Sequence, residues 1–499
     1  MDMRVAPRVD QIRQHRLILP LLLLLVALAT RFQQFGNPIV HVDEQFYLLV
    51  GDRMLHGALP YLDIWDRKPI GLFLIYAGIR LLGGSGVLQY QLVATASAIA
   101  TALLVERIAS RVAGRRGSWL AAVLYLLWIP LLTGQGGQSP VFYNLLVAGA
   151  ALIVLRTSEA RTGEWHLFAY GAGAMATIGL AIQIKYNVVF EGVLFGLALL
   201  WLAQRRGVSL WRIGLFAAGW IIAALLPTAI ALVVYWRFGA LDAYWFANFV
   251  SIFRRNPLGN TGGLRNALSL SLYVAPLIVI AAHGAKLGLR SERSFPHVFV
   301  ALWLSVAALS IIGFGYYFDH YGLPLVVPAT VASAAFLDRR NALPATALVF
   351  GGAALMCLVL PTLNQRRRGT PAQYAALVEV VRPYAGDGLL VWDKLPALYY
   401  TLGARLPGRF PFPNHLRDAN EQGAIGVDQS AETRRILDAR PAVIVVEARK
   451  HRKATTYDTL LVEQRLRRDY RRLAAVRVGR RDQLVYLLSD RAPHGTAKR

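Results

Sequence analysis

The stretch HVDEQFYLLVGDRMLHGALPYLDIWDRKPIGLFLIYAGIR, His41–Arg80, decides how this chain is read. It follows the first long apolar run and opens on two adjacent acids, Asp43 and Glu44. An amphipathic helix is expected next, then a turn at Leu59-Pro60, then a polar cluster of Asp63, Trp65, Asp66 and Lys68. Pro69 begins a second amphipathic helix, at a position where its missing N–H removes no bond, and that helix stops near Gly83-Gly84. Charge this dense beside apolar surface points to chemistry at a membrane face.

Outward from this stretch, the chain of 499 residues is 55% hydrophobic and only 17% charged. Apolar runs recur from Leu17 to Leu360, and a run of roughly 18 such residues spans a bilayer. The composition therefore predicts a polytopic helical membrane protein with one soluble appendage. The run Leu17–Ala29 is read as a span rather than a cleaved leader, because no convincing small-residue cleavage site follows it and further spans do. The single cysteine, Cys357, falls inside a span, so no intramolecular disulfide is possible. The net charge of +25 is read as basic loops and a basic tail against anionic lipid, not as a nucleic-acid site. No P-loop or zinc cluster is present. The glycine-rich run at 171–176 lies in a span, where small residues let helices approach.

Arg4, Arg8, Arg13 and Arg16 precede the first span and place the N-terminus in the cytoplasm. Spans are expected at 17–32, 87–106, 118–133, 141–155, 167–184, 188–203 and 213–235, at a segment ending near 285, and at 297–315, 321–337 and 344–360. About eleven spans in this order collect the short basic loops on one side. The expected architecture is an all-α membrane core over 1–363, with the site in outer loop 33–86, followed by an extracytoplasmic α/β domain over 364–499. Within that tail, 389–392, 443–446 and 484–488 suit buried strands, and 372–381, 431–439 and 456–468 have helical spacing. Pro407, Pro411 and Pro413 mark a long loop.

On this topology the unusual polar residues share the outer side. Asp43, Glu44, Asp63, Asp66 and Lys68 lie in the first outer loop, Lys185 at the tip of the 167–203 hairpin, and Arg254 and Arg255 in the fourth outer loop. Tyr316, Tyr317, Asp319 and His320 lie between two later spans. An ionisable group at membrane depth is costly and takes a partner or a function. A carboxylate can take the proton of an attacking hydroxyl while cations stabilise charge developing on a phosphate leaving group. Structural roles compete: Asp43 suits a helix N-cap, Glu44 a first turn, and Asp66 a cap for the Pro69 helix. Tyr61 and Trp65 suit an aromatic belt or a sugar platform, and Lys68 an interfacial anchor.

The acidic pair after the first span, the W-D-x-K-P at 65–69 and the segment FDHYGLPLVVP at 318–328 together resemble the GT-C glycosyltransferases of the protein-mannosyltransferase type, glycosyltransferase family 39. The bacterial relatives, which include the aminoarabinose transferases of lipid A, are particularly similar. The resemblance implies a GT-C-like core of about eleven transmembrane helices and a polyprenyl-phosphate-linked sugar donor. It further implies transfer to an extracytoplasmic glycan, lipid or protein hydroxyl, usually with inversion. It makes Asp43 the general base and Glu44 its helper. Lys68, Lys185 and His320 become phosphate contacts. Apart from the resemblance, Arg254 and Arg255 are candidates to hold the phosphate or to touch lipid headgroups. Tyr61, Asp63, Trp65, Asp66 and Tyr317 are the candidate substrate contacts.

The family's usual K-P-P is here Lys68-Pro69-Ile70, and Gln138-Ser139 stand where many bacterial relatives carry an acid. No cofactor is expected. Mg²⁺ at Asp43-Glu44 is conceivable on charge, but the resemblance does not require it. The implied location is a bacterial inner membrane, with membrane lipids as partners. The competing readings are a lipid-linked sugar transporter or flippase, and a non-catalytic polysaccharide-assembly subunit. Transporters commonly show repeated halves with broken helices near the midplane, and no repeat is visible here.

Overall fold

The computed structural model describes residues 9–160, 163–256, 263–292, 294–312, 316–448 and 457–491. The end of the 297–315 span, part of the fourth outer loop and the first residue of the 456–468 helix lie outside them, as do Arg4 and Arg8. Among the described residues, nine helices are long and apolar enough to cross a membrane, and each matches an expected span. The other two expected spans are shorter. One is the apolar helical stretch Leu17–Ala29. The other is Arg115–Trp128, which tightens into a 3-10 turn over Ile129–Leu132 and stops at Thr133 in the left-handed region. The chain is a multi-pass membrane protein, mostly helical, with a small sheet near its C-terminus.

The chain divides into two compact units. The first comprises Met1–Gln33, Gln91–Thr228 and Gly262–Leu360. Its centre is the helix Leu323–Leu337, buried without a break from Leu323 through Ala334. Small residues permit this. A Cβ on Gly284 would stand 2.2 Å from the Ala332 carbonyl oxygen, and one on Gly117 would stand 2.3 Å from that of Ala334. The helices Gly263–Ser291 and Arg115–Trp128 therefore pack backbone against backbone on the central helix. Asp338, just past its end, accepts the amides of Gly114 at 3.3 Å and Gly117 at 2.8 Å, capping the positive end of Arg115–Trp128.

The second unit comprises Gln34–Tyr90, Ala229–Thr261 and Pro361–Arg499. It opens with α1, Val42–Leu55, and α2, Ile70–Arg80. The two helices cross at Gly51, where a Cβ would stand 2.6 Å from the Ala77 nitrogen. A capping box of Thr370 and Gln373 starts the helix Pro371–Ala385. The sheet follows, with β1 Leu389–Val391, β2 Val443–Glu447, β3 Tyr470–Val478 and β4 Arg481–Leu488 in the order β1-β2-β4-β3. β1 and β2 are parallel, joined by a crossover that contains the helix Gln429–Asp438. β3 and β4 form an antiparallel hairpin with a bulge between Arg472 and Ala474.

Within this unit α1 and α2 and the C-terminal tail are built into one another. The Gln45 side chain accepts the Ala397 amide at 3.3 Å, and Arg53 donates to the Ala404 carbonyl at 2.8 Å. Phe46 packs on Phe412 with ring centres 5.1 Å apart.

Candidate active site

His41, not Asp43, is the N-cap of α1: its side chain accepts the Asp43 amide at 3.3 Å. The Asp43 carboxylate is thereby relieved of the capping role and stands 3.6 Å from His41 Nδ1. Burial pulls the His41 imidazole down to about 4 and Asp43 opposes this, while Arg368 and Lys68 depress it further. A neutral histidine thus sits among one carboxylate and two cations, each near enough to act on it electrostatically. Glu44, the next residue, is buried.

The loop that carries Lys68 is held from several sides. Leu59 donates its amide to Asp63 at 2.7 Å, and Asp63 returns its own amide to the Leu59 carbonyl at 2.9 Å, which closes the turn while leaving Asp63 exposed. Tyr61 is fully buried with φ of 72°, a conformation a bulky residue adopts only when its surroundings impose it. Its hydroxyl donates to the Lys68 carbonyl at 2.8 Å, and its ring packs on Tyr235 and Tyr244 at 5.3 and 5.4 Å. Trp65 is also buried, 4.7 Å from the His415 ring, and its amide donates to the Arg409 carbonyl at 2.7 Å. In this structure both rings touch protein and brace the loop. Asp66 accepts the amides of Arg67 at 2.5 Å and Lys68 at 3.2 Å, so it shapes the turn before α2 rather than capping the helix. Lys68 Nζ lies 3.9 Å from Asp66 and 5.8 Å over the Tyr47 ring.

A second cluster of charge adjoins this loop. Arg67 donates to both oxygens of Glu421 and to Ser251 Oγ at 3.2 Å. Arg255 pairs with the same carboxylate at 2.9 Å. Burial pushes the Glu421 carboxyl up, but the Arg67 hydrogen bonds and the charges of Arg67 and Arg255 outweigh it and hold the group at about 2. Arg254 is exposed and lies over the Phe246 ring at 5.5 Å.

The first unit brings Lys185 and His320 together around one ring. Lys185 Nζ lies 4.9 Å over Tyr321, and the His320 ring meets Tyr321 edge-on at 4.9 Å. Phe318 stacks on His320 at 5.8 Å and meets the same Tyr321 ring edge-on at 5.7 Å. Tyr317, at φ of 47°, sends its hydroxyl to the Ile312 carbonyl at 3.3 Å.

Four residues near these groups escaped the sequence reading. His41 carried a usable signal, its place at the helix entry. Arg67 lies inside the W-D-x-K motif, and Arg368 belongs to the basic tail that was read as facing anionic lipid. Glu421 lies in the long loop after the prolines and gave no signal.

No protein-family model matches the chain, and no curated protein matches it in sequence. Solved structures do match. ArnT from Cupriavidus metallidurans, bound to undecaprenyl phosphate, is similar with a TM-score of 0.65 at 16% identity, over 95% of this chain and 99% of that one. Its apo state gives 0.59 at 14% identity, over 95% and 98%. The Archaeoglobus fulgidus oligosaccharyltransferase tethered to an acceptor peptide gives 0.52 at 13% identity, over 86% of this chain and 69% of that one. The chain has a GT-C fold. Because the ArnT match covers nearly the whole of both chains, the likeness extends over membrane helices and tail alike.

Proposed function

We propose that the chain is a membrane glycosyltransferase that moves a sugar from a polyprenyl-phosphate donor to an acceptor hydroxyl on the extracytoplasmic face. The observation that carries this reading is the gathering of one carboxylate, Asp43, 3.6 Å from His41, and two cations, Lys68 and Arg368, about a neutral His41. The GT-C fold, seen with undecaprenyl phosphate in ArnT, supports the choice of donor. In the proposed reaction the acceptor oxygen attacks the anomeric carbon and Asp43 takes its proton. The bond from that carbon to the phosphate oxygen breaks, and polyprenyl phosphate leaves with the electron pair. Attack opposite the leaving group inverts the anomeric centre. Lys68 stabilises the second negative charge that appears on the phosphate, which is where preorganised cations are most effective.

Glu44 is proposed to support Asp43. On the family resemblance alone, Lys185 and His320 are proposed to contact the donor, and Arg254 on its charge and place in the sequence alone. The displacement uses no nucleotide and no metal. The N-terminus is proposed to be cytoplasmic and the tail extracytoplasmic, in a bacterial inner membrane, with a glycan, lipid or protein as acceptor.

The test is transfer from a panel of synthetic polyprenyl-phosphate sugars by the purified protein, beside Asp43→Asn. Release of polyprenyl phosphate by wild type, lost in the variant with donor binding retained, is the expected result. Full turnover in Asp43→Asn removes Asp43 from the chemistry. No binding of any lipid-linked sugar refutes the donor assignment.

A further inference from the structure

Arg67 sits between Asp66 and Lys68, and Arg255 adjoins Arg254. Both arginines converge on one carboxylate from the tail, Glu421, which is buried. Ser251 completes the joint: its hydroxyl accepts from Arg67 at 3.2 Å and donates to the Ala424 carbonyl at 2.7 Å. Asn256 adds a backbone link, its amide donating to the Asn420 carbonyl at 3.0 Å. Three chain segments far apart in sequence, 66–68, 251–256 and 420–424, are thus pinned at one point.

A shared counter-ion of this kind adds little net stability, because both charges give up water to make it. Its effect is geometric. The planar guanidinium of Arg67 is gripped by two carboxylate oxygens, so its backbone has few alternatives, and Lys68 is the next residue. Removing the carboxylate leaves two adjacent cations without their common partner, and they repel.

We propose that Glu421 is a positioning residue of the transfer site, holding Arg67 and Arg255 so that the Lys68 loop keeps the arrangement that receives the lipid phosphate. The proposal rests on the donor reading above. It gives the tail a defined part in the reaction: it supplies the anion that sets the cationic loop.

The experiment uses full-length protein in phosphatidylcholine nanodiscs, with undecaprenyl phosphate as the binding probe and hydrogen exchange as a second readout. Glu421→Gln is expected to weaken binding roughly tenfold and to speed exchange in 63–70 and 251–256. Glu421→Asp retains most of the affinity. In a Lys68→Ala background, Glu421→Gln is expected to change affinity less than about twofold, because the effect runs through Lys68. A loss of equal size in that background makes Glu421 a general scaffold residue and overturns the proposal. Wild-type affinity with unchanged exchange overturns it too, while leaving the donor reading standing. A wild-type protein that binds no undecaprenyl phosphate brings down the donor reading and the positioning role together. Should Glu421→Gln melt early, Ser251→Ala carries the same test: it removes one Arg67 acceptor, and a smaller loss in the same direction, again absent without Lys68, is expected. Unchanged binding and exchange in Ser251→Ala then count against the clamp.

Discussion

Gly51→Ala tests the crossing on which α1 and α2 depend. A Cβ at position 51 would stand 2.6 Å from the Ala77 nitrogen, 2.7 Å from the Tyr76 carbonyl carbon and 2.8 Å from Tyr76 Cβ. The first two are backbone atoms, so no rotamer change relieves the clash. To reach ordinary contact at 3.4 Å, α2 has to retreat by roughly 0.8 Å. Overpacking of this kind costs about 1–3 kcal/mol, and the better helix propensity of alanine returns about 1 kcal/mol at most. The expected net effect is a loss of about 1–2 kcal/mol, read as a melting temperature several degrees lower for full-length protein in detergent.

The same retreat reaches the site, because Tyr76 packs on Tyr47 at 5.6 Å and Lys68 lies over the Tyr47 ring. Undecaprenyl-phosphate binding is therefore expected to weaken along with stability. Gly78→Ala is the matched control, since a Cβ there meets nothing within 4 Å. It is expected to be neutral or to stabilise by up to about 1 kcal/mol. A Gly51→Ala protein that melts at or above wild type, in step with Gly78→Ala, would refute the claim that this crossing has no slack.

Three further outcomes follow from single contacts. His415 is buried 4.7 Å from Trp65 and 5.0 Å from Phe412, and burial holds its imidazole at about 4 against the opposing pull of Asp66 and Glu421. With an unfolded value near 6.5, its neutral form contributes stability that is complete above that pH and is lost as the pH falls through 4. His415→Phe should flatten the acid limb of the stability curve by up to about 3 kcal/mol between these values, leaving the contribution of His41; an unchanged slope contradicts the assignment. Tyr61→Phe deletes the hydroxyl that meets the Lys68 carbonyl and should cost about 1 kcal/mol with a few-fold loss of lipid-phosphate affinity, measured by melting and binding together. Lys185→Ala should weaken binding of the same lipid while Lys185→Arg keeps most of it; equal affinities in all three proteins would remove Lys185 from the donor site.

What the sequence disclosed follows from the physics of each element. Long apolar runs announce membrane helices because bilayer thickness demands them, and nine expected spans have counterparts. The span expected at 118–133 ends as a regular helix at Trp128, whereas hydropathy continues through Ile129–Leu132 after the helix has tightened. The buried strands β1, β2 and β4 were legible as short apolar runs, whereas β3, YRRLAAVRV, was not. It lies at one edge of the sheet, and the arginines on its exposed positions hide the alternation. At the site, Asp43 and Lys68 stood out by residue type in an unexpected place. Tyr61 and Trp65 looked like ring faces for a ligand, and the contacts that bury them come from 235–244 and 409–415. Glu421 was invisible for the same reason: a long-range ion pair leaves no local periodicity.

The disposition of charge bears on how such a site would favour the transition state. The excess of basic residues behind the net +25 includes exposed arginines such as Arg366, Arg367, Arg471, Arg472 and Arg480. Near the Lys68 loop, cations stand beside carboxylates: Lys68 beside Asp66, and Arg67 and Arg255 on Glu421. A nearly balanced cluster attracts a singly charged phosphodiester only modestly. On the proposed reaction, bond cleavage converts that diester into a monoester and adds a second negative charge at the same oxygens. Donors already fixed in direction by Asp66 and Glu421 respond to the added charge without reorganising, and such interactions raise turnover more than they raise affinity. The carboxylates that offset the site's positive field also aim it at the leaving group.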